Sequence, residues 1–423
     1  MNITILNGNP QFASLDDYLA NLVRQLQAAG HTVTQLNLRD MILRYCIGCW
    51  GCWVKTPGQC ISQDASIEID RAVIHSDFTL WAAPLKMGFP SALLKMALDK
   101  HLPLIHPYME VVHHEAHHQK RYKHYPRVGM LVEKETDTDE TDLHILTDIF
   151  ARTALNFKTR LEFLETTDRP VEEVTGRILE GKKAPHLFGQ ALGPVSGARI
   201  TPPERITVFN GSPRGARGNT PILLKEFAKG FGREYEMHHL VRVKDLEEHV
   251  RAFAEAECVW LGFPLYTDAM PGIVKHFIEA LKPLRGRADN PPPIGFLVQS
   301  GFPEALHSRY VERYLEKLAA RLGSPYLGTI VKGGGEAVRS MPSGATQDLF
   351  DNLGSLGSDF AGVGQLNAET LRMIARPERF PAILGPVFQV LLRTPIGHAY
   401  FDNMFKQNGA YERRFARPFM KQA

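Results

Sequence analysis

With 423 residues, 44% apolar and 22% charged, the chain has an ordinary globular composition and enough length for two or three domains. A formal charge of +3 does not single out nucleic acid as a partner, and the basic residues near the C-terminus, Arg413, Arg414, Arg417 and Lys421, read as a solvated helix end. The longest apolar run there, Phe380 to Leu392, is broken by Pro381 and Pro386 and falls short of the roughly 20 residues of a bilayer span. No membrane span is therefore expected.

The N-terminus enters a short apolar segment at once, without the basic start and long apolar stretch of a secretory leader, so a cytoplasmic location is expected. Ile3 to Gly8 reads as a buried strand ending in a turn, Leu15 to Ala29 as an amphipathic helix closed by Gly30, and His31 to Leu38 as a second strand. Phe78 to Ala83, Val128 to Val132 and Phe157 to Phe163 follow as strands. After a Gly- and Pro-rich linker, Gly193 to Pro203, the same grammar restarts. Strands are expected at Ile206 to Phe209, Tyr235 to Leu240, Val259 to Phe263, Ile294 to Val298 and Tyr326 to Val331, with a helix from Asn219 to Phe231. Such alternation predicts an α/β fold with two doubly wound parallel five-stranded sheets in tandem, one domain over residues 1–195 and another over 204–423 with a C-terminal helical extension.

The halves are elaborated differently. Gly8 to Pro84 spans 76 positions where Gly211 to Pro264 spans 53, and the surplus of 23 matches the cysteine-bearing stretch from residue 41 to 64. A second surplus of about 14 falls on the His-rich stretch between Ile105 and Tyr125. Both lie at strand ends, where α/β sheets place their ligands.

In the second half, Asn210-Gly211-Ser212-Pro213-Arg214 with Gly215, Arg217, Gly218, Asn219 and Thr220 joins a strand to a helix. Backbone N–H groups, hydroxyls, arginines and a helix N-terminus are what a phosphate needs. This loop resembles the FMN phosphate loop of the NAD(P)H-dependent FMN reductases and related flavodoxin-like oxidoreductases. Pro264-Leu265-Tyr266, followed by Met270-Pro271 and Lys275, resembles that family's second flavin loop, and Ser300-Gly301-Phe302-Pro303-Glu304 its third. The resemblance implies FMN held by Ser212, Arg214, Asn219, Thr220, Pro264, Leu265, Tyr266, Gly301 and Phe302, with NAD(P)H as donor and a quinone or other small molecule as acceptor. It also implies an intramolecular pseudo-dimer, with a higher homo-oligomer as an alternative.

The first half departs from the pattern. Its turn is Gly8-Asn9-Pro10-Gln11, Leu15 aligns with Thr220, and Asp16 and Asp17 place carboxylates in the first helical turn, where they repel a phosphate. The loop after its fourth strand, Glu133-Lys134-Glu135, is charged and lacks glycine. The expectation is the fold without FMN bound in the usual way.

Cys46, Cys49, Cys52 and Cys60 supply the four thiols of an all-cysteine zinc or iron-sulfur site, and a redox-active thiol loop without metal is the third reading. The compact spacing resembles that of the iron-sulfur flavoproteins, which implies a [4Fe-4S] cluster. Cys258, on an apolar strand, reads as a buried structural thiol. His113, His114, His117 and His118 stand at i, i+4 spacing, and His114-Glu115-Ala116-His117-His118 fits a short zincin pattern. Five residues in an insertion make a weak motif, so a solvated loop or helix face is expected. The function these features imply is a flavin-dependent oxidoreductase; the alternatives are an electron-transferring iron-sulfur flavoprotein without NAD(P)H oxidation, and a non-enzymatic metal-responsive interaction protein.

Overall fold

A computed structural model describes residues 1–112, 115–181, 192–286, 291–339, 341–379 and 384–420. The chain forms two compact units, Met1–Gly189 together with Ala382–Ala423, and Gln190–Pro381.

In the first unit β1 (Asn2–Asn7), α1 (Ser14–Ala28) and β2 (Thr32–Asn37) lead to a loop bearing α2 (Gly51–Val54), then α3 (Ser66–His75) and β3 (Phe78–Lys86). A two-residue strand, β4 (Phe89–Pro90), precedes α4 (Ala92–Asp99), the hairpin strands β5 (Ile105–Val112) and β6 (Glu115–Lys120), β7 (Arg127–Glu133), α5 (Glu140–Asn156), β8 (Leu161–Thr166) and α6 (Val171–Glu180). The main sheet runs β2-β1-β3-β7-β8, all parallel, the strand order of flavodoxin-like folds. Helix α1 forms because Leu15, Leu19, Leu22 and Leu26 recur on one face; all four are buried with Ile3, Ile5 and Phe78 of the sheet.

The second unit repeats the order with β9 (Arg205–Asn210), α7 (Thr220–Phe231), β10 (Glu234–His239), α8 (Leu246–Ala254), β11 (Val259–Pro264), α9 (Gly272–Ala280), β12 (Ile294–Gln299), α10 (Leu306–Leu322) and β13 (Tyr326–Lys332). Its sheet is β10-β9-β11-β12-β13, again parallel. Two further helices, α11 (Ser343–Val363) and α12 (Ala368–Ile374), extend its core: Leu353, Leu356 and Phe360 are buried with Phe227, Phe231 and Trp260. Cys258, just before β11 rather than on it, is fully buried in the same cluster, as expected of a structural thiol.

Four expectations change. The fifth strand of the first unit starts at Leu161, because Phe157 still belongs to the end of α5. The His-rich stretch is an antiparallel hairpin, Met109 opposite His118 and Val112 opposite Glu115, with His106 and His117 buried, rather than a solvated helix face. The β-branched Val111 and Val112 favour a strand there. His113 and His114, and with them the start of the zincin pattern, lie outside the described residues.

The division between units falls at Gly189, ahead of the linker, and the C-terminal extension does not stay with the second unit. Helices α13 (Leu384–Leu391) and α14 (Pro395–Gln407) group with the first. The reason is aromatic packing: Tyr108 stacks on His398 with centroids 4.0 Å apart, and His106 stacks on Phe415 at 5.0 Å.

Candidate functional site

The second unit gathers its three loops at the C-terminal ends of its strands. Asn210, the last residue of β9, accepts the Ser212 N–H at 3.1 Å and donates to the Gly215 carbonyl at 3.1 Å, which bends the chain sharply. Gly211 donates to the Gly262 carbonyl at 2.7 Å; a Cβ there would stand 2.4 Å from Val274, so only glycine fits. Ser212 Oγ accepts the Arg214 N–H at 3.3 Å. Helix α7 then starts at Thr220, whose hydroxyl is buried without a hydrogen-bond partner. A buried hydroxyl at a helix N-terminus can donate to an acceptor-rich group such as a phosphate.

The segment after β13 ties this loop to the third. Glu336 accepts Arg214 Nη1 at 2.5 Å through its carboxylate and Asn219 Nδ2 at 2.8 Å through its carbonyl. Its neighbours Gly334 and Gly335 donate to the Phe302 and Ser300 carbonyls at 2.7 and 2.8 Å. Phe302 stacks on His307 at 4.2 Å, and a Cβ on Gly301 would meet only Glu336, at 3.9 Å, so that edge of the loop is open. Leu265 donates to the Gln299 carbonyl at 2.7 Å, and Tyr266 closes a tight turn with Ala269. Thr267 and Asp268 take the positive φ values of 42° and 60° that the turn requires. Ser212, Arg214, Asn219 and Thr220 are thus brought together with Gly301 and Phe302, while Pro264 to Tyr266 reach the group through β12. Glu336 went unassigned from sequence because the Gly333 to Glu336 stretch carries no motif.

The first unit has the same backbone and the opposite chemistry. Asn7 accepts the Asn9 N–H at 3.0 Å and donates to Asn37, and Gly8 donates to the Ala82 carbonyl at 2.7 Å. There, however, the Asp16 carboxylate accepts Asn7 Nδ2 at 2.8 Å, Asn9 Nδ2 at 2.7 Å, the Ala13 N–H at 3.0 Å and Arg39 Nη1 at 2.8 Å. Burial alone would raise its pKa, but those four donors hold it below the ordinary carboxylate value. The chain's own anion fills the position at the helix N-terminus. Leu15, aligned with Thr220 by sequence, is a fully buried core residue; Asp16 is what distinguishes the two loops.

The two elaborations of the first unit pack on each other. Trp53 of α2 donates its Nε1–H to the Leu102 and Ile105 carbonyls at 3.0 Å and lies 4.9 Å from the His118 ring. Trp50 and Trp53 meet Phe401 of α14 at 5.7 and 5.8 Å. Of the four clustered thiols Cys52 is buried, Cys46 and Cys60 are partly covered and Cys49 is exposed. Burial, then the charges of Cys46, Cys60 and Cys49, push the Cys52 thiol well above its ordinary value. Lys100 donates to Ser62 at 2.5 Å, Asp64 at 2.6 Å and Cys60 at 3.4 Å. Among the described residues, no three His, Cys, Asp or Glu side chains stand around a common point as an ion would require. No described helix is long and apolar enough to cross a membrane.

Residues 1–119 match the family model described as NADPH-dependent FMN reductase. The iron-sulfur flavoprotein of Archaeoglobus fulgidus is 27% identical over 104 residues, which are 25% of this chain and 46% of that protein. The chain thus spans about half the length of this curated relative. Among solved structures, the azoreductase AzrA is 13% identical with a TM-score of 0.30, over 37% of this chain and 100% of its own. An NADPH-quinone reductase from P. pentosaceus is 19% identical with a TM-score of 0.30, over 37% of this chain and 96% of its own.

Proposed function

We propose that this chain is a flavin-dependent oxidoreductase that holds FMN on its second unit and passes electrons from NAD(P)H to a quinone or another small acceptor. The observation that carries the placement is the contrast between Thr220, a buried hydroxyl without a partner, and Asp16, a carboxylate already seated in the equivalent loop. The family match and the iron-sulfur flavoprotein relative support flavin chemistry for the chain.

Ser212, Thr220 and the first-turn amides of α7 would hold the phosphate, with Arg214 and Asn219 oriented by Glu336. Tyr266 and Phe302 would flank the ring, and Gly301 admits its edge. The flavin supplies the redox chemistry; the protein supplies orientation, exclusion of water and local charge.

On the first unit, Cys46, Cys49, Cys52 and Cys60 would hold a [4Fe-4S] cluster, a reading supported by their spacing and the named relative. The absence of a formed coordination group among the described residues favours a second reading, in which the same thiols act without metal. A separate alternative, an electron carrier, would contain flavin and iron yet leave NAD(P)H unoxidised.

A visible spectrum of the anaerobically purified chain, with flavin, iron and zinc quantified, and NAD(P)H oxidation assayed with a quinone, separates these readings. Bound FMN at one per chain with quinone-dependent turnover is the expected result. Flavin-free protein that fails to take up added FMN would overturn the proposal.

A further inference from the structure

The turn after β9 is held by one side chain, Asn210, which is fully buried at the end of that strand. Its Oδ1 accepts the Ser212 N–H at 3.1 Å and its Nδ2 donates to the Gly215 carbonyl at 3.1 Å, so two backbone groups fix which way the amide faces. The second Nδ2 hydrogen is left for Nδ1 of His239, 2.8 Å away on β10. With Nδ2 as the donor, Nδ1 is an unprotonated acceptor and the ring carries its proton on Nε2. An imidazolium has no acceptor, so a charged His239 loses this bond. Turning the amide over to meet it would break both bonds to the loop instead.

The first unit fills the same position with a group that does not titrate. His239 lies opposite Asn210 in the register of β10 and β9, as Asn37 lies opposite Asn7 in that of β2 and β1. Asn37 Oδ1 accepts Asn7 Nδ2 at 3.1 Å. The imidazole that replaces it in the second unit is half-buried. Burial first, then Arg242 just after β10, Lys225 of α7 and His238 beside it, hold His239 below the ordinary value of 6.5, so that it is neutral and able to accept at neutral pH.

We propose that His239 is a positioning residue for the phosphate loop and makes flavin affinity fall in acid, an assignment that rests on the reading that places FMN on the second unit. Only neutral His239 completes the bonds of Asn210, and Asn210 holds the turn from Ser212 to Gly215. Protonation removes one or two neutral hydrogen bonds from the loop, which corresponds to about tenfold in affinity. The change is in Kd; flavin in excess still fills the site.

The test titrates FMN into the flavin-free full-length chain, followed by flavin fluorescence, from about pH 8 to about pH 5 for wild type, His239→Asn and His239→Leu. His239→Asn puts the acceptor of the first unit into the second, and it is expected to keep its affinity in acid while wild type weakens about tenfold relative to it. His239→Leu leaves Asn210 Nδ2 unpaired and is expected to bind about tenfold more weakly than wild type at neutral pH. Ionisation of the FMN phosphate, at about pH 6, acts on all three proteins alike, so the ratio of Kd values between wild type and a variant isolates the histidine. A ratio that stays constant with pH, wild type that tightens in acid relative to His239→Asn, or His239→Leu that binds as wild type would each overturn the role of His239. Wild type that fails to bind FMN at neutral pH would instead overturn the placement of the flavin, and this assignment with it. Circular dichroism reports whether a variant has folded; if one has not, the other supplies the ratio.

Discussion

The loops after β1 and β9 start from one backbone and end in different states. Each has an asparagine closing the strand, a glycine hydrogen-bonded to the neighbouring strand, and a helix whose N-terminus faces the turn. In the first unit that N-terminus is satisfied from within, by Asp16 held by Arg39 and two asparagines. In the second it presents Thr220 with nothing bonded to its hydroxyl. A fold can thus keep its sheet and helices while a single carboxylate satisfies the helix N-terminus of one copy from within. The family match covers residues 1–119, whereas the proposed flavin site lies in the second unit.

Acid should separate the units most strongly. Burial, with Arg121 nearby, pushes His106 down to about 3, and burial, with Lys158 nearby, does the same to His118. Such histidines stay neutral when folded but take up protons when unfolded, so the stability they lend is present above the unfolded value near 6.5 and is lost as pH falls toward 3. Asp64 adds to this at lower pH: burial raises its pKa, but Lys100, Ser66 and the Arg44 amide outweigh that and bring it to about 2, so its contribution fades from about 4 to about 2. In the second unit His239 and His249 are shifted in the same direction. Fluorescence of Trp50, Trp53 and Trp81, read in a Trp260→Phe background, should change at higher pH than the loss of bound FMN. Coincident transitions would mean that the units do not differ in this respect.

Thr220→Asp puts into the second loop the group that fills the first. An uncompensated buried charge facing a phosphate costs about 3 kcal/mol, so FMN affinity in a fluorescence titration should fall about 100-fold. Apo protein should melt as wild type, since a carboxylate suits a helix N-terminus. Unchanged affinity would move the flavin elsewhere.

The converse change, Asp16→Asn, should have the smaller effect. Loss of charge-assisted bonds to Arg39 and the Ala13 amide should destabilise the first unit by about 2 kcal/mol in urea, with FMN content unaltered. Uptake of a second FMN by this variant would show that Asp16 alone keeps flavin from the first unit.

The sequence showed the two sheets clearly because parallel strands buried on both faces read as apolar runs, and helices such as α1 carry a regular apolar stripe. Ser212, Arg214, Asn219 and Thr220 were readable because a strand, a turn and a helix N-terminus are contiguous in the chain. The His-rich stretch was misread because i, i+4 spacing says nothing about what covers a segment. Among the described residues, His118 packs against Trp53 and the buried His106 stacks on Phe415 from the far end of the chain.

What the sequence determined by itself is local: element periods, the phosphate-type turn, and the crowding of four thiols. What only the tertiary structure decided is non-local. Residues 382–423 group with the first unit, Glu336 orients Arg214, Asp16 occupies its own loop, and Arg121 is buried against the Arg414 and Ala416 carbonyls. Each depends on partners tens to hundreds of positions away or on side-chain burial, and burial is set by packing rather than by spacing along the chain.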